Sequence, residues 1–307
     1  MDFVTKTYDS EAHVTYCAAK KISDLYPNSK FYIYEGGYDG GLNNENREKI
    51  SNIKNTKVIN WKEPYEFNEE VEFFETHISR LESIIKETTY LNYIINSLVG
   101  YEYDRLEQYN MKRYDYLYRR KPLVILDIAN SIDGNIAWID ADVVVLRNID
   151  ELFQYDYDIG ATVRNKYTEI KRDGYRDLDP ASLSTGVLIF KTNSENICGF
   201  VNSWLTEISS LTLTKIREQT AVKNLFEHSN EDIFESYYNE GHLKTESGNL
   251  KTKIFPADIY NHFKLESGVN PNKHKVLHFP QKESSLQINK DLISDICDGN
   301  IRKWYRE

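Results

Sequence analysis

The sequence has little cysteine, proline or glycine. Its three cysteines, Cys17, Cys198 and Cys297, are too scattered for a disulfide framework or a thiolate metal site, so we expect reduced thiols in a cytoplasmic protein. Seven prolines and 14 glycines in 307 residues exclude collagen-like and low-complexity classes. No run of about 18 uncharged apolar residues is present, so no transmembrane helix is expected. Residues 1–6 also lack the basic-then-apolar pattern of a signal peptide.

Positive charge is in deficit. The chain has 38 Lys+Arg against 48 Asp+Glu, which gives a formal net charge of −10. Tight nonspecific binding of nucleic acid depends on an excess of Lys and Arg, so this balance disfavours it. Charge alone leaves enzyme, lectin and scaffold open.

The order of apolar segments predicts a layered α/β fold. Strand-like and helix-like segments alternate without an internal repeat or a flexible linker. We therefore expect a single domain over 1–307, with a helical insertion at 64–120 and a helical tail at 286–307. Short strands are predicted at 3–5, 31–34 and 57–61, and a helix at 11–25.

Two segments of this plan each allow two interpretations. Residues 70–98 form a near-heptad apolar seam, which either packs against its own domain or joins two copies as a homodimer. The tail ends in aromatic and basic residues, which either pack on the domain or hold it at the inner face of a membrane that carries a lipid-linked acceptor.

The stretch 134–146 is the most informative in the chain. Apolar residues run into Asp140 and Asp142 and then resume, a pattern typical of one buried parallel strand. Alternate residues of a strand share a face, so both carboxylates can approach one ion. Buried carboxylates are costly without a positive partner, and oxygen ligands suit Mg²⁺ or Mn²⁺. The spacing therefore indicates a site for a divalent cation.

With its surroundings, this motif resembles a known family: the nucleotide-sugar-dependent glycosyltransferases of the GT-A fold, in particular the retaining family of glycogenin and bacterial lipopolysaccharide galactosyltransferases. The likeness is good over residues 115–280 and looser over 1–60. The segments that carry it are 137–145 with 148–153, then Ser184–Phe190, Arg217–Phe226, Phe255–Asn261 and Lys275–Phe279.

The resemblance implies a fold, an activity and a metal site. The fold is α/β of the GT-A type, with a mixed, mostly parallel sheet flanked by helices. The activity is metal-dependent transfer of a sugar from a nucleotide-diphosphate donor, with UDP favoured by family, to a hydroxyl of a glycan, lipid-linked or protein acceptor. Asp140, Asp142 and His278 would hold Mn²⁺ or Mg²⁺.

The resemblance also implies which residues bind the donor. Thr5 at the end of the first strand, and Tyr8 after it, would lie at the nucleoside. Phosphate or sugar oxygens would be bound by basic residues, and the strand with the small residues would lie beneath the donor sugar. These candidates are Arg119, Arg120, Lys121 and Lys282, and then Ser184, Thr185 and Gly186. The family's glycine between its histidine and its lysine is missing here, so the diphosphate loop around Lys282 differs.

Glu218 and Gln219 are the catalytic candidates. By resemblance, Glu218 would bind sugar hydroxyls and Gln219 would lie near the anomeric carbon. An uncharged amide is a poor nucleophile, which favours front-side retention over a covalent intermediate. An inverting enzyme would need a carboxylate base, for which Asp177, Asp179 and Glu218 are available, so inversion stays open.

Three other readings stay open. A phosphotransferase of the haloacid dehalogenase type also places Asp-x-Asp after an apolar strand, although the later acidic motif of that class is missing here. A catalytically silent member of the fold would bind a nucleotide-sugar or glycan without turnover. A transferase could also act on a modified base in nucleic acid.

Overall fold

A mixed sheet of eight strands forms the centre of the protein. The computed structural model describes residues 1–37, 40–62, 119–132, 134–163, 183–211, 217–229, 233, 237–263, 269–270, 272–279 and 287–300. Its strands are β1 (Asp2–Lys6), β2 (Phe31–Glu35), β3 (Thr56–Asn60), β4 (Ile136–Ile139), β5 (Val143–Val145), β6 (Ile159–Val163), β7 (Leu183–Phe190), β8 (Glu240–Thr245), β9 (Gly248–Pro256) and β10 (Val276–His278).

The strand order of the large sheet is β3-β2-β1-β4-β7-β6-β9-β8. The first four of these strands run parallel, and β6 and β9 also pair in parallel. The β4–β7, β6–β7 and β8–β9 pairs are antiparallel. The predicted mixed, mostly parallel α/β fold is therefore confirmed. β5 and β10 form a separate antiparallel pair.

Helices cover both faces of this sheet. The described helices are α1 (Ala12–Leu25), α2 (Asn44–Ser51), α3 (119–129), α4 (Ser194–Ser210), α5 (Arg217–Ser229), α6 (Ala257–Tyr260) and α7 (Gln287–Cys297). Among the described residues, α1 and α7 contribute to one apolar cluster, and α3, α4 and α5 to the other. α1 turns Val14, Cys17 and Ile22 inward, as its sequence pattern predicts. A central sheet with a core on each face results.

The apolar run around the two aspartates differs from its prediction as a single strand. β4 ends at Ile139, the chain turns at 140–142, and β5 leaves the large sheet to pair with β10. The Val143 N–H donates to the Asp140 carbonyl at 3.0 Å and closes the turn. Carboxylates inside a ladder with helices on both faces would lack solvent, whereas a turn places them where polar partners can reach them. The one-strand prediction is wrong.

The described residues also bear on the predicted insertion, the tail, the cysteines and the absence of a transmembrane helix. α3 continues to residue 129, so the predicted boundary of the insertion at 120 falls inside a helix. The rest of the insertion, including the 70–98 seam, lies outside the described residues, as do residues 301–307 of the tail. The three cysteines carry free thiols. Within the described ranges, every helix is too short or too polar to cross a bilayer.

Candidate active site

Asp140, Asp142 and His278 meet at the carboxyl end of β4. One ligand atom from each lies within 4.8 Å of the other two. His278 Nε2 is 3.2 Å from Asp142 Oδ1, and both side chains are 14% exposed. The carboxyl ends of strands in open α/β sheets are where ligands bind. The structure thus brings together the three residues expected to hold a cation.

Strand pairing explains how residues so far apart in sequence meet. β10 runs antiparallel to β5 with His278 opposite Val143. The Phe279 N–H donates to the Asp142 carbonyl at 2.7 Å and extends this pairing to the turn. The register of β10 against β5 therefore places the imidazole of His278 beside Asp142.

Two donors hold the Asp140 carboxylate. The indole Nε1 of Trp138 donates to Asp140 Oδ1 at 2.8 Å, and Lys121 Nζ lies 2.8 Å from the same oxygen. Trp138 is two residues earlier on β4, on the face shared by alternate residues. Asp140 is thus oriented by Trp138 of the preceding strand and by Lys121 of α3.

Lys121 joins this aspartate to the first turn of α5. Its ammonium lies 2.7 Å from Glu218 Oε1 and donates to the carbonyl and the hydroxyl of Thr185 at 3.2 and 3.1 Å. The Thr185 hydroxyl donates in turn to Glu218 at 2.5 Å. Burial lowers the pKa of Lys121, but Asp140 and Glu218 outweigh it and raise the pKa above its usual value. Lys121 is therefore a fixed positive charge between two carboxylates.

A glycine makes the space for the imidazole of His278. A Cβ at Gly186 would approach the Cε1 and Nδ1 atoms of His278 to 2.9 Å, so a larger residue would collide with the ring. The Gly186 carbonyl also accepts from the Asp140 N–H at 2.9 Å. On its other side, His278 Nδ1 lies 2.9 Å from Asn261 Oδ1.

The donor set of this site fits Mn²⁺ or Mg²⁺. Two carboxylates supply hard oxygen ligands, and one imidazole nitrogen is tolerated by Mn²⁺ in particular. A fourth acidic residue, Glu11, interacts electrostatically with Asp142. It is 4% exposed, and its Oε2 has no hydrogen-bond partner among the described residues. Burial, and then the charge of Asp142, raises the pKa of Glu11. Excess buried negative charge of this kind is what a cation would neutralise.

Tyr8 and Arg120 meet beyond the end of β1. Arg120 Nη1 donates to the Tyr8 hydroxyl at 3.1 Å, and Lys6 Nζ lies 4.7 Å from the centre of the Tyr8 ring. Lys6 is also 5.2 Å from the Trp61 ring and donates to the Gly36 carbonyl. The ammonium of Lys6 thus lies against two aromatic rings, one of which also bonds Arg120 through its hydroxyl.

The structure separates the remaining candidates. Thr5 is buried, and its hydroxyl has no hydrogen-bond partner among the described residues. Ser184 is buried under the site, where its hydroxyl accepts from Asn261 at 2.7 Å. Arg119 instead donates to Ser209 on α4 at 2.8 Å. Gln219 follows Glu218 on α5 and is half-buried. Lys282, Asp177 and Asp179 lie outside the described residues.

Three polar residues of the site had no role in the sequence interpretation: Trp138, Asn261 and Glu11. Trp138 was detectable in principle, because it stands two residues before Asp140, near the end of β4. Asn261 lies in a segment that carries the family resemblance, but its partner Thr162 is 99 residues away. Glu11 gave no signal, since an acidic residue at a helix start is common.

A second group of potential ligands, Asp258, His262 and His274, does not fit a cation. The Asn270 N–H donates to His274 Nδ1 at 3.2 Å, so a neutral His274 ring carries its proton on Nε2, the atom that faces Asp258. The two imidazoles stack with their centres 3.6 Å apart, which prevents one ion from lying in both ring planes. We interpret this group as a hydrogen-bonded support of α6.

The chain is similar to known proteins at the level of solved structures. No protein-family model matches the chain, and no curated protein sequence is significantly similar to it. The galactosyltransferase LgtC in complex with donor and acceptor sugar analogs is 13% identical with a TM-score of 0.47, over 97% of this chain and 96% of that one. An active-site mutant of LgtC matches with the same identity and coverage and a TM-score of 0.48.

A third structure, the glycosyltransferase GlyE of Streptococcus pneumoniae TIGR4, is 11% identical with a TM-score of 0.49, over 99% of this chain and 62% of that one. All three are glycosyltransferases, the class that the sequence motifs resemble. At such identities and TM-scores they carry no inference about this chain's activity, which has to come from its own residues.

Proposed function

We propose that this protein is a metal-dependent glycosyltransferase that moves a sugar from a nucleotide-diphosphate donor, UDP-linked by family resemblance, to a hydroxyl acceptor. The observation that carries the proposal is the convergence of Asp140, Asp142 and His278, with ligand atoms within 4.8 Å of one another, at the carboxyl end of β4. A cationic residue, Lys121, is fixed beside them. Leaving diphosphates need both kinds of positive charge.

In this proposal Asp140, Asp142 and His278 hold the cation. A bound Mn²⁺ or Mg²⁺ supplies Lewis-acid stabilisation of the negative charge that the departing diphosphate gains. Asp140 can serve as a ligand because Trp138 and Lys121 both bind Oδ1, and among the described residues nothing binds Oδ2. His278 presents Nε2 toward Asp142, as a ligand pair requires.

Tyr8 and Arg120 would bind the nucleoside end of the donor. Their position beyond β1 places an aromatic face and a guanidinium beside the carboxyl ends of β1 and β2, and Arg forks onto phosphate oxygens better than Lys does. Lys121, Thr185 and Glu218 would lie under the sugar, where Glu218 accepts hydrogen bonds from sugar hydroxyls.

We propose transfer with retention. The bond from the anomeric carbon to the diphosphate oxygen breaks, the acceptor oxygen attacks the same face, and its proton passes to the departing diphosphate. Retention is supported by the hydrogen bonds of Glu218. Its Oε1 already accepts from Lys121 and from the Thr185 hydroxyl. A carboxylate held in this way is a poor general base. Gln219, beside it on α5, carries no charge.

A donor screen tests the activity. Nucleotide release is measured from a panel of UDP-, GDP- and ADP-sugars with Mn²⁺, with Mg²⁺ and with a chelator. We expect release from at least one UDP-sugar, its loss in the chelator and its loss in Asp142→Asn, while Asp24→Asn, an exposed change on α1, stays at the wild-type rate. Metal-independent release, or full activity in Asp142→Asn, contradicts the proposal. Donor binding without release by the wild type would identify a silent nucleotide-sugar-binding protein.

The stereochemistry needs its own measurement. Proton NMR of the first product formed from an α-linked donor is expected to give the coupling constant of an α-linkage. A β-linkage would overturn retention and direct attention to a carboxylate base, with Asp177 and Asp179 as the candidates.

A further inference from the structure

Asn261 is a fully buried amide beside the site with hydrogen-bond partners on both its nitrogen and its oxygen. It is 0% exposed. Its Nδ2 donates to the hydroxyls of Thr162 and Ser184 at 3.0 and 2.7 Å, and its Oδ1 lies 2.9 Å from His278 Nδ1. An amide with all these contacts can turn only by breaking several hydrogen bonds at once.

The hydroxyl of Thr162 fixes which way this amide points. It donates its single proton to the Ser184 carbonyl at 3.1 Å, so toward Asn261 it can only accept. The amide atom facing Thr162 must therefore be the nitrogen. It follows that the atom facing His278 is the carbonyl oxygen, which can only accept.

The tautomer of His278 follows from this chain of donors. Because Asn261 Oδ1 accepts, His278 Nδ1 must carry a proton. In the neutral ring, Nε2 then holds its lone pair and points at Asp142 Oδ1, 3.2 Å away. A lone pair facing a carboxylate oxygen is unfavourable unless positive charge lies between them.

We propose that Asn261 is a positioning residue: it locks His278 into the Nδ1–H tautomer and so aims the Nε2 lone pair at the cation position shared with Asp142. This inference rests on the proposed function, since it concerns the same metal site. Hydrogen bonds from the second nitrogen of a metal-binding histidine set its tautomer and orientation in general.

The backbone around Asn261 makes this lock rigid. Its N–H donates to the Ala257 carbonyl at 2.8 Å. The carbonyl of the next residue, His262, accepts from the His278 N–H at 2.8 Å. The amide and the imidazole are therefore tied together by main-chain as well as by side-chain hydrogen bonds.

Binding of Mn²⁺ alone, with no sugar donor present, tests the inference. Free Mn²⁺ is measured by electron paramagnetic resonance in titrations of the wild type and of Asn261→Leu, which keeps the volume and removes the acceptor. We expect the Kd for Mn²⁺ to rise by about 10- to 100-fold in Asn261→Leu. Asn261→Asp keeps an oxygen facing His278 and should restore most of the affinity. Asn224→Leu, an amide lost from α5, should bind as the wild type does.

A spectroscopic readout reports the tautomer itself. In long-range ¹H–¹⁵N spectra of histidine-labelled protein saturated with Mg²⁺, the His278 signals are those that disappear in His278→Gln. We expect a protonated Nδ1 and an unprotonated Nε2 in the wild type and in Asn261→Asp. The pattern should change in Asn261→Leu.

The outcomes separate the inference from the proposed function. Wild-type affinity and an unchanged His278 pattern in Asn261→Leu overturn the inference and leave the metal site intact. No Mn²⁺ binding by the wild type, or binding that survives His278→Gln, overturns the proposed metal site instead. If Asn261→Leu does not fold, Thr162→Val is measured instead, because it removes the hydroxyl that fixes the orientation of the amide. Weaker Mn²⁺ binding by Thr162→Val supports the inference, and unchanged binding contradicts it.

Discussion

The ammonium of Lys121 lies 2.8 Å from Oδ1 of Asp140 and ties α3 to the turn that follows β4. Lys121 is 13% exposed, and its second carboxylate partner is Glu218. One side chain thus connects the proposed metal site with the proposed sugar site, and its charge keeps two carboxylates close together.

Replacing Lys121 by Met should therefore damage both stability and transfer. Removing one partner leaves two carboxylates without their cation, so we expect the free energy of unfolding in urea to fall by about 2–3 kcal/mol. Transfer should fall by about 100-fold, the usual effect of losing one electrostatic donor. Lys251→Met removes an exposed pair with Asp156 and should leave both quantities unchanged. Equal stability of the two variants would contradict the bridging role of Lys121.

Gly186→Ala tests the space left for His278. The new Cβ would lie 2.9 Å from two atoms of the imidazole, so the ring must move. We expect a loss of about 1–3 kcal/mol in stability from overpacking, together with a clear rise in the Kd for Mn²⁺. Gly160→Ala is the matched control, because its Cβ would meet Phe255 at 2.8 Å, away from His278. It should lose stability and keep its Mn²⁺ affinity; equal affinity in both variants would argue against the role of Gly186.

Glu11→Gln should stabilise the metal-free protein at neutral pH. Burial, and then the charge of Asp142, raises the pKa of Glu11 above its ordinary value of 4.5, so the folded state binds this proton more tightly than the unfolded state. The wild type therefore loses stability as the pH rises from below 4.5 through the pKa of the folded state. The gain in thermal midpoint from Glu11→Gln should be larger at about pH 7 than at about pH 4. Glu48→Gln, an exposed change on α2, should show no such difference.

We expect His274 to make the stability of the protein sensitive to acid. Burial, and then the charge of His262, lowers the pKa of His274 from 6.5 to about 4. The folded state binds this proton more weakly than the unfolded state does. The free energy of unfolding therefore decreases as the pH falls through 6.5 toward 4. The loss contributed by this group is about 3 kcal/mol.

Unfolding in urea at several pH values measures that loss. His274→Gln should flatten the decline between about pH 7 and about pH 4. His242→Gln, at an exposed position on β8, should decline as the wild type does. An equally steep decline in His274→Gln would contradict the assignment.

Local patterns in the sequence predicted the elements but not the contacts between them. The first strand, the first helix and the next two strands were predictable because each repeats apolar residues at its own period. The turn at Asp140 and Asp142 was not, since Val143–Val145 reads as a continuation of β4 until β10 is seen to pair with it. Strand pairing is decided by the whole fold, so a single apolar run cannot reveal where a strand changes sheet.

The metal ligands of the site were predictable, because few roles are open to residues of these types at these positions. Asp140 and Asp142 stand out because carboxylates are rare in an apolar run, and His278 because the family resemblance points to it. Asn261 was not predictable, since its role depends on hydroxyls 77 and 99 residues away. Lys121 was one of three adjacent basic residues, and only the geometry of α3 distinguishes it from Arg119 and Arg120.

Locating the cation tests the account most directly. Crystals grown with MnCl₂ and UDP are measured at the manganese absorption edge, and an anomalous difference map then identifies the ion as manganese and shows its position. We expect a peak coordinated by Asp140, Asp142 and His278, in contact with the diphosphate of UDP. A peak elsewhere, or UDP bound with no peak at these residues, would contradict it.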